Sequence, residues 1–501
     1  MPAGQPAPAV TPREAGQTTT PSGTVSFVQD IAFTPAHEIA AAVRRKALSP
    51  VDVMRATLDR LERVNPALNA FVALRAAAAL DDARALEKRI ARGEDPGLLA
   101  GVPFAVKDEE DLGGFPTTHG SAPWRTAVVE HDSTQVARAR AAGAIPIGKT
   151  NLPEFGSTAF TKNHVFGTTR NPWNVARTPG GSSGGSSAAV AAGILPCATG
   201  GDGGGSIRIP AAYTGLVGLK ATFGRIPRGR FEFRDWFDTI SRGPLTRCVR
   251  DTALWLDAVA GYDPTDPDSL PNSTERFSDR LDDTPRGLRV AYLPTLGYGH
   301  VAPDVRRVVD EATKSLASAL AVQVDTPTVH LTDVGLAWAF INSFQTYGRI
   351  AHMIERHRDE FGRGFLKGVE LGARLGAVDI ARCQQERYRL NCEVADLFTR
   401  YDLLVMPTCP TTAFAAGGPM PDVIDGQKLA SPLHAVAFTY PFNMTGHAAI
   451  SLPAGLGDDG MPIGLQIVAE RAAERLLLQV SEAFERARPY PRLPAVPQGT
   501  P

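Results

Sequence analysis

The sequence predicts an α/β domain built around a largely parallel or mixed sheet. Three observations predict it. Short apolar runs of strand length alternate with amphipathic helical stretches along most of the chain. With 501 residues, 43% of them hydrophobic and 21% charged, the chain is long and apolar enough to bury a large core. Strand candidates recur on both sides of the polar stretch 262–286. That stretch therefore reads as a surface excursion within one large domain and not as an interdomain linker.

The elements follow in order. The first 25 residues are rich in Pro, Thr, Gly and Ala and lack a basic start followed by an apolar core. They are expected to form a disordered tail, not a secretory signal, ahead of one large domain over 26–501. Thr34-Pro35 before AHEIAAAVRRKAL reads as an N-cap with Pro at the first helical position, and Ser49-Pro50 repeats the signal. Met54, Leu58 and Leu61 then recur at helical spacing and mark a buried face. A third helix covers 75–91 and stops in RGEDPG. The apolar run 101–106 fits a buried strand ending at Lys107. A helix over 133–142 stops at Gly143, and 144–147 is the next strand. Residues 156–228 are dense in Gly, Ser, Thr and Pro and predict one short helix near 185–193. Beyond them lie strands at 288–293, 403–406, 449–452 and 463–468, and helices over 304–320, 334–359, 378–399 and 472–487.

Composition excludes several functions. A net charge of −1 offers no electrostatic footprint for nucleic acid or anionic membrane. No apolar run reaches the ~18 residues of a transmembrane helix. Cys197, Cys248, Cys383, Cys392 and Cys409 contain no CxxC pair, which suits a reducing compartment and a cytoplasmic enzyme. The ten histidines form no HExxH and no tight cluster, so neither a metal nor another cofactor is expected.

The unusual segment is 177–227, with Gly/Ser nodes at 180–187 and 200–206 joined by an Ala-rich helix. A flexible linker would not continue into SIRIPAAYTGLVGLK, with its Ile, Val, Leu and Tyr. Cleavage of an acyl bond needs a nucleophile, a proton acceptor and donors for the developing oxyanion. Gly203, Gly204 and Gly205 immediately precede Ser206, and residues without Cβ can turn successive N–H groups toward one point beside that hydroxyl. Ser206 is thus the better nucleophile candidate. No histidine lies near either node in sequence. Lysine can serve as the base if burial removes its charge, by up to ~3–5 pKa units. Lys107 ends an apolar run and suits this, although from the residues alone it reads equally as an ordinary surface lysine or as a partner of Asp108, Glu109 or Glu110.

At these residues the chain resembles the amidase signature family. GGSSGGSSAAVAAG, a spacer, and GGDGGGSIRIPAAYTGLVGLKATFGR resemble the signature almost end to end. GVPFAVKDEEDLGG is similar to the family's lysine segment, and YDLLVMPTCPTTAF, FNMTGHAAISLPAGL and PIGLQIVAE to its C-terminal blocks. The resemblance spans roughly 35–488 and implies a central mixed sheet flanked by helices. It further implies Ser206 as nucleophile, Ser182 as bridging serine 24 positions earlier, Lys107 as base, and a cis peptide at Gly181–Ser182. The oxyanion donors would be the N–H groups of Gly203, Gly204, Gly205 and Ser206. Asp202 and Arg208 would be a supporting ion pair, with Ser183 beside them. The implied activity is hydrolysis of linear amides, extending to carbamates or to cyclic and aryl amides, by a monomer or homodimer acting on small molecules. Gly203 stands where many members have Thr; the N–H is kept.

Plainer readings stand beside these. Ser182, Ser183 or Ser186 can each cap the helix near 185. Phe155, Gly156, Ser157 and Gly181 are candidate pocket residues. Asn163 and the Asn171-Pro172-Trp173 turn read as structural. The aromatic stripe Trp338, Phe340, Phe344 and Tyr347 reads as core, and GRFEFRDWFD at 229–238 as a solvated loop or a lid. Two rival functions remain. Gly180–Gly184 formally fits the GxSxG of a Ser-His-Asp esterase, which requires a strand directly before the serine. The glutamine-hydrolysing component of a tRNA-dependent amidotransferase belongs to the same family. A non-catalytic scaffold is disfavoured because Lys107, Ser182 and Ser206 are all present.

Overall fold

The computed structural model describes residues 31–229 and 239–490. The expected tail at 1–25, and all of the 229–238 stretch except Gly229, lie outside these residues. Eleven described strands form one mixed sheet. In spatial order they are Phe71–Leu74, Ile145–Thr150, Pro103–Lys107, Cys197–Asp202, Ser241–Thr246, Val217–Lys220, Ala448–Leu456, Pro462–Ala469, Leu403–Pro407, Val290–Tyr292 and Val324–Asp325. Pro103–Lys107 runs parallel to both its neighbours, Ile145–Thr150 and Cys197–Asp202. Cys197–Asp202 pairs antiparallel with Ser241–Thr246, which sets Gly201 opposite Arg242.

Successive strand side chains point to opposite faces, and the core divides accordingly. Leu403 and Val405 pack with Val305, Val309 and Leu316 of helix Pro303–Leu320 and with Leu477 and Phe484 of helix Glu474–Ala487. Leu404 and Met406 pack instead with Ile209 of helix Arg208–Thr214, Ile341 of helix Gly335–His357 and Leu390 of helix Ala377–Arg400. Helices therefore cover both faces.

Two local expectations are corrected. The first helix begins at Ala36, and its cap comes not from Thr34 but from Asp251, which accepts the N–H groups of Ala36 and His37 at 2.8 and 2.9 Å. Ser49 does cap its helix, with Pro50 at the first position. The Gly/Ser-rich region holds more than one helix: Cys197–Asp202 and Val217–Lys220 are fully buried strands, and Arg208–Thr214 is a helix. The sequence CATGGD carries Gly and Asp, residues depleted in strands, so its composition concealed a central strand. The helix Val249–Val259 was likewise not anticipated.

Candidate active site

Lys107 is the last residue of its strand and is completely buried. Its own N–H donates to Thr199 Oγ1 on the next strand at 3.0 Å. Its Nζ donates to Ser182 Oγ at 2.7 Å and to the carbonyl of Gly201 at 3.2 Å. Burial lowers its pKa below the ordinary lysine value, against the opposing pull of Glu109. Two other serines of the first node are committed elsewhere. Ser186 Oγ bonds Thr150 Oγ1 and the Thr199 carbonyl, and Ser187 Oγ bonds the carbonyls of Pro179 and Gly184. Ser183 occupies the N-cap position of helix Gly184–Ala191 without a side-chain cap bond, and its N–H donates to the Ser206 carbonyl at 3.2 Å. The Gly181–Ser182 peptide is cis.

The second node is held from behind. Asp202 and Arg208, both fully buried, meet at 2.9 Å. Arg208 also reaches Gln466 Oε1 and Asn443 Oδ1, each at 2.6 Å. Burial would raise the Asp202 carboxyl, but the Arg208 guanidinium outweighs it and holds the group well below the usual carboxylate range. Asp202 accepts the N–H groups of Gly205 at 2.7 Å and of Ile207 at 3.2 Å. The expectation for Gly205 is therefore corrected: its N–H serves the supporting carboxylate and does not face an oxyanion. Among the described residues no acceptor meets the N–H of Gly204 or Ser206. On the other side, Trp338 Nε1 donates to the Gly203 carbonyl at 2.7 Å and Thr439 Oγ1 to the Gly204 carbonyl at 2.6 Å. Gly204 is required here, because a Cβ would lie 2.4 Å from Trp338 Cζ2. Trp338 is thus more than the core residue expected of its stripe.

Ser182 and Ser206 line one cavity of about 140 Å³ together with Phe155, Gly156, Ser157 and Gly181. Ile209, Ile240, Trp338, Met420, Leu433 and Val436 add apolar wall, and Asn342 and Glu109 add polar groups. No hydrogen bond joins the Ser182 and Ser206 hydroxyls in this structure. Phe155 has a left-handed backbone, φ 48°, and its ring lies between His119 and Phe365, stacked on each at 5.1 Å. Two larger cavities lie elsewhere: one is apolar and rimmed by Phe33 and Tyr490, and the other lies beside Arg358–Arg374. The first is lined by Cys248 and Glu485, but burial pushes that thiol up, away from a reactive thiolate, and the second is lined by no serine, threonine or cysteine, so size does not identify the site.

Asn163 and Asn171 are structural: Asn163 donates to the Leu152 carbonyl and accepts the Phe166 N–H, and Asn171 donates to the carbonyls of Thr178 and of Tyr213 in helix Arg208–Thr214. The esterase reading of Gly180–Gly184 fails on geometry. No strand runs directly into Ser182, and among the described residues no histidine bonds Ser182 or Ser206. His37, Cys248 and Asp251 bring ligand-type atoms within 4.8 Å of one another. Both Asp251 oxygens already cap a helix, and burial pushes the Cys248 thiol up, away from the thiolate that binds metal.

Of the three acidic partners the sequence offered for Lys107, the structure brings Glu109 to the amine, and sequence reasoning missed Arg242 altogether. Glu109 Oε2 lies 3.1 Å from Lys107 Nζ, and its Oε1 accepts from Arg242 Nη1 at 2.6 Å. The pair fills space that only Gly201 leaves open: a Cβ there would lie 2.0 Å from Glu109 Oε1 and 2.4 Å from Arg242 Nη1. The Gly-Gly preceding Asp202 was the available signal.

A family model described as Amidase matches residues 52–478. The chain belongs to the amidase signature family. Its relatives in that family include an acylamidase of Rhodococcus erythropolis, 37% identical over 469 residues, 92% of this chain and 97% of that protein. The A component of the glutamyl-tRNA(Gln) amidotransferase of Gloeobacter violaceus is 37% identical over 489 residues, 92% of this chain and 98% of that protein. Among solved structures, a bacterial aryl acylamidase of the amidase signature family superposes with a TM-score of 0.87 at 32% identity, covering 94% of this chain and 99% of that one. A substrate-complexed 6-aminohexanoate cyclic dimer hydrolase gives 0.83 at 31%, covering 93% and 100%. The amidase signature fold, one large α/β domain with a mixed sheet between helices, is therefore shared along nearly the whole chain. No helix among the described residues is long and apolar enough to cross a membrane.

Proposed function

We propose that this amidase signature protein is a serine amidase for small neutral amides, with Ser206 as nucleophile, Ser182 as proton relay and Lys107 as base. One observation carries the proposal: a completely buried lysine amine 2.7 Å from a serine hydroxyl that shares a small cavity with a second serine. Burial disfavours the ammonium form and so supplies a free amine lone pair. That lone pair accepts a proton from Ser182 while Ser182 accepts one from Ser206. Ser206 Oγ bonds to the amide carbon, and the carbonyl oxygen takes the negative charge. The N–H groups of Gly203, Gly204 and Ser206 receive that charge. The proton returns through Ser182 to the leaving nitrogen, which departs as a neutral amine. Water then releases the acid by the same relay.

The Ser182–Ser206 link closes when substrate aligns the hydroxyls, since catalytic hydrogen bonds tighten in the bound complex. A cavity of about 140 Å³ walled by Phe155, Ile209, Ile240 and Trp338 suits a ring-sized or short apolar group. Its one charged lining group, Glu109, is held by Arg242, so the wall offers no unpaired charge to an ionic substrate. The acylamidase and aryl acylamidase relatives support the choice of aryl and alkyl amides, with carbamates as further candidates.

The test is a panel of anilides, alkyl amides, carbamates and esters assayed on wild type and Ser206→Ala. Loss of all turnover in the variant is expected; persistent amide hydrolysis refutes the assignment. The similarity to the amidotransferase component favours one second reading, glutamine hydrolysis inside a complex. A purified free chain that turns over anilides and ignores glutamine disposes of it.

A further inference from the structure

We propose that Glu109 and Arg242 are a positioning pair for Lys107, in which Arg242 takes up the negative charge of Glu109 that would otherwise keep the Lys107 amine protonated. The inference rests on Lys107 being the base, as proposed above.

The geometry poses a problem and supplies its answer. A carboxylate 3.1 Å from a buried amine favours the ammonium form, which cannot accept a proton. Glu109 is not alone, however. Arg242, almost completely buried on strand Ser241–Thr246, which Cys197–Asp202 separates from the strand of Lys107, donates to its other oxygen at 2.6 Å. Guanidinium is always charged, so the pair stays close to neutral overall at any working pH. Lys107 therefore faces a compensated pair in place of a bare anion. Burial pushes the Glu109 carboxyl up, but Lys107 and Arg242 outweigh it and hold the group well below the usual range.

The other charged groups around the site are accounted for. Asp202 is taken by Arg208, and Asp108 by Lys149 at 3.3 Å. His119 is held neutral by burial and by Arg349, with its pKa lowered to about 3. Gly201 makes the arrangement possible, since any side chain there would occupy the place where the carboxylate and guanidinium meet. The carboxylate also anchors the amine sterically. Lys107 Nζ sits between Ser182 Oγ, the Gly201 carbonyl and Glu109 Oε2, so it cannot rotate away from the serine without losing two further contacts.

The pair makes opposite predictions for its two members. In Glu109→Gln Lys107 loses its neighbouring anion while the Arg242 cation remains, so the acid limb of kcat/KM moves to lower pH. In Arg242→Met the carboxylate faces Lys107 uncompensated, so the limb moves to higher pH. Each shift is expected to be about 1 unit or more. Arg242→Lys keeps a cation and should return the limb close to wild type. The measurement is kcat/KM for an anilide across pH, with kcat and KM separated. Shifts of the same sign, or no shift in Glu109→Gln, overturn the inference. A raised KM with an unmoved limb in Glu109→Gln also overturns it, because that marks a substrate ligand. If Arg242→Met does not fold, Glu109→Gln and Arg242→Lys decide alone. Retained activity in Lys107→Met would instead refute the proposed function, a result distinct from all of these.

Discussion

Asp202→Asn isolates what holds the glycine loop in place. The native carboxylate accepts from the N–H groups of Gly205, Ile207 and Arg208, from Arg208 Nε and Nη2, and from Asn443 Nδ2. Asparagine preserves the shape but replaces one acceptor oxygen with a donor and removes the charge. Arg208, fully buried, then keeps only neutral acceptors on Gln466 and Asn443. Removing one partner of a buried ion pair costs about 3–5 kcal/mol. The two remaining acceptors place the expectation near about 3 kcal/mol, a sizeable part of a typical ~5–15 kcal/mol. The loop should also loosen, lowering kcat by about 10²-fold or more, as when an oxyanion donor is displaced. The assays are urea unfolding and anilide turnover. Adding Arg208→Met to the Asp202→Asn variant should recover part of the stability, because no unpaired charge then remains buried. The pH dependence has a definite sign. The folded Asp202 pKa is depressed, so its contribution is fully present above the unfolded value of about 3.9 and is lost as pH falls through the folded value. Wild type should therefore lose more stability than Asp202→Asn on strong acidification. An unchanged urea midpoint with unchanged kcat refutes the reasoning, as does strict additivity of the Asp202 and Arg208 substitutions.

Further outcomes follow from the same geometry. Lys107→Met and Ser182→Ala should each abolish most turnover, and the double variant should be no worse than either single one, because a relay fails as a unit; multiplicative losses argue against it. The acid limb of kcat/KM, where activity rises as Lys107 loses its proton, should lie below the ordinary lysine value of about 10.4, and a limb at or above that value would count against a buried base. Gly204→Ala should displace the Trp338 ring, breaking its 2.7 Å bond to the Gly203 carbonyl, with a change in tryptophan fluorescence and a kcat loss of about 10-fold or more. Phe155→Ala removes a ring from the cavity wall and should raise KM for anilides about fivefold relative to short alkyl amides, near 1 kcal/mol; equal effects on both classes would remove it from the acyl- or aryl-binding wall.

How much was legible depended on what each feature is made of. Strands such as Pro103–Lys107 and helices such as Pro50–Leu68 could be read because apolar periodicity and caps are local properties. Cys197–Asp202 could not, because its glycines admit side chains from elsewhere in the chain, Gly201 those of Glu109 and Arg242 and Gly200 that of Ile207. The cap of the first helix was misassigned for the same reason, since Asp251 arrives from 215 positions away.

Local chemistry along the chain thus determined the fold class, the glycine-lined serine and the candidacy of Lys107. Only the tertiary structure decided that Ser182, not Ser183 or Ser186, meets that lysine, and that the Gly205 N–H is spent on Asp202. The structure alone also decided that a Glu109–Arg242 pair borders Lys107. The physical reason is that hydrogen bonds and charge compensation act over about 3 Å in space. The partners here come from strands and loops that sequence order keeps far apart.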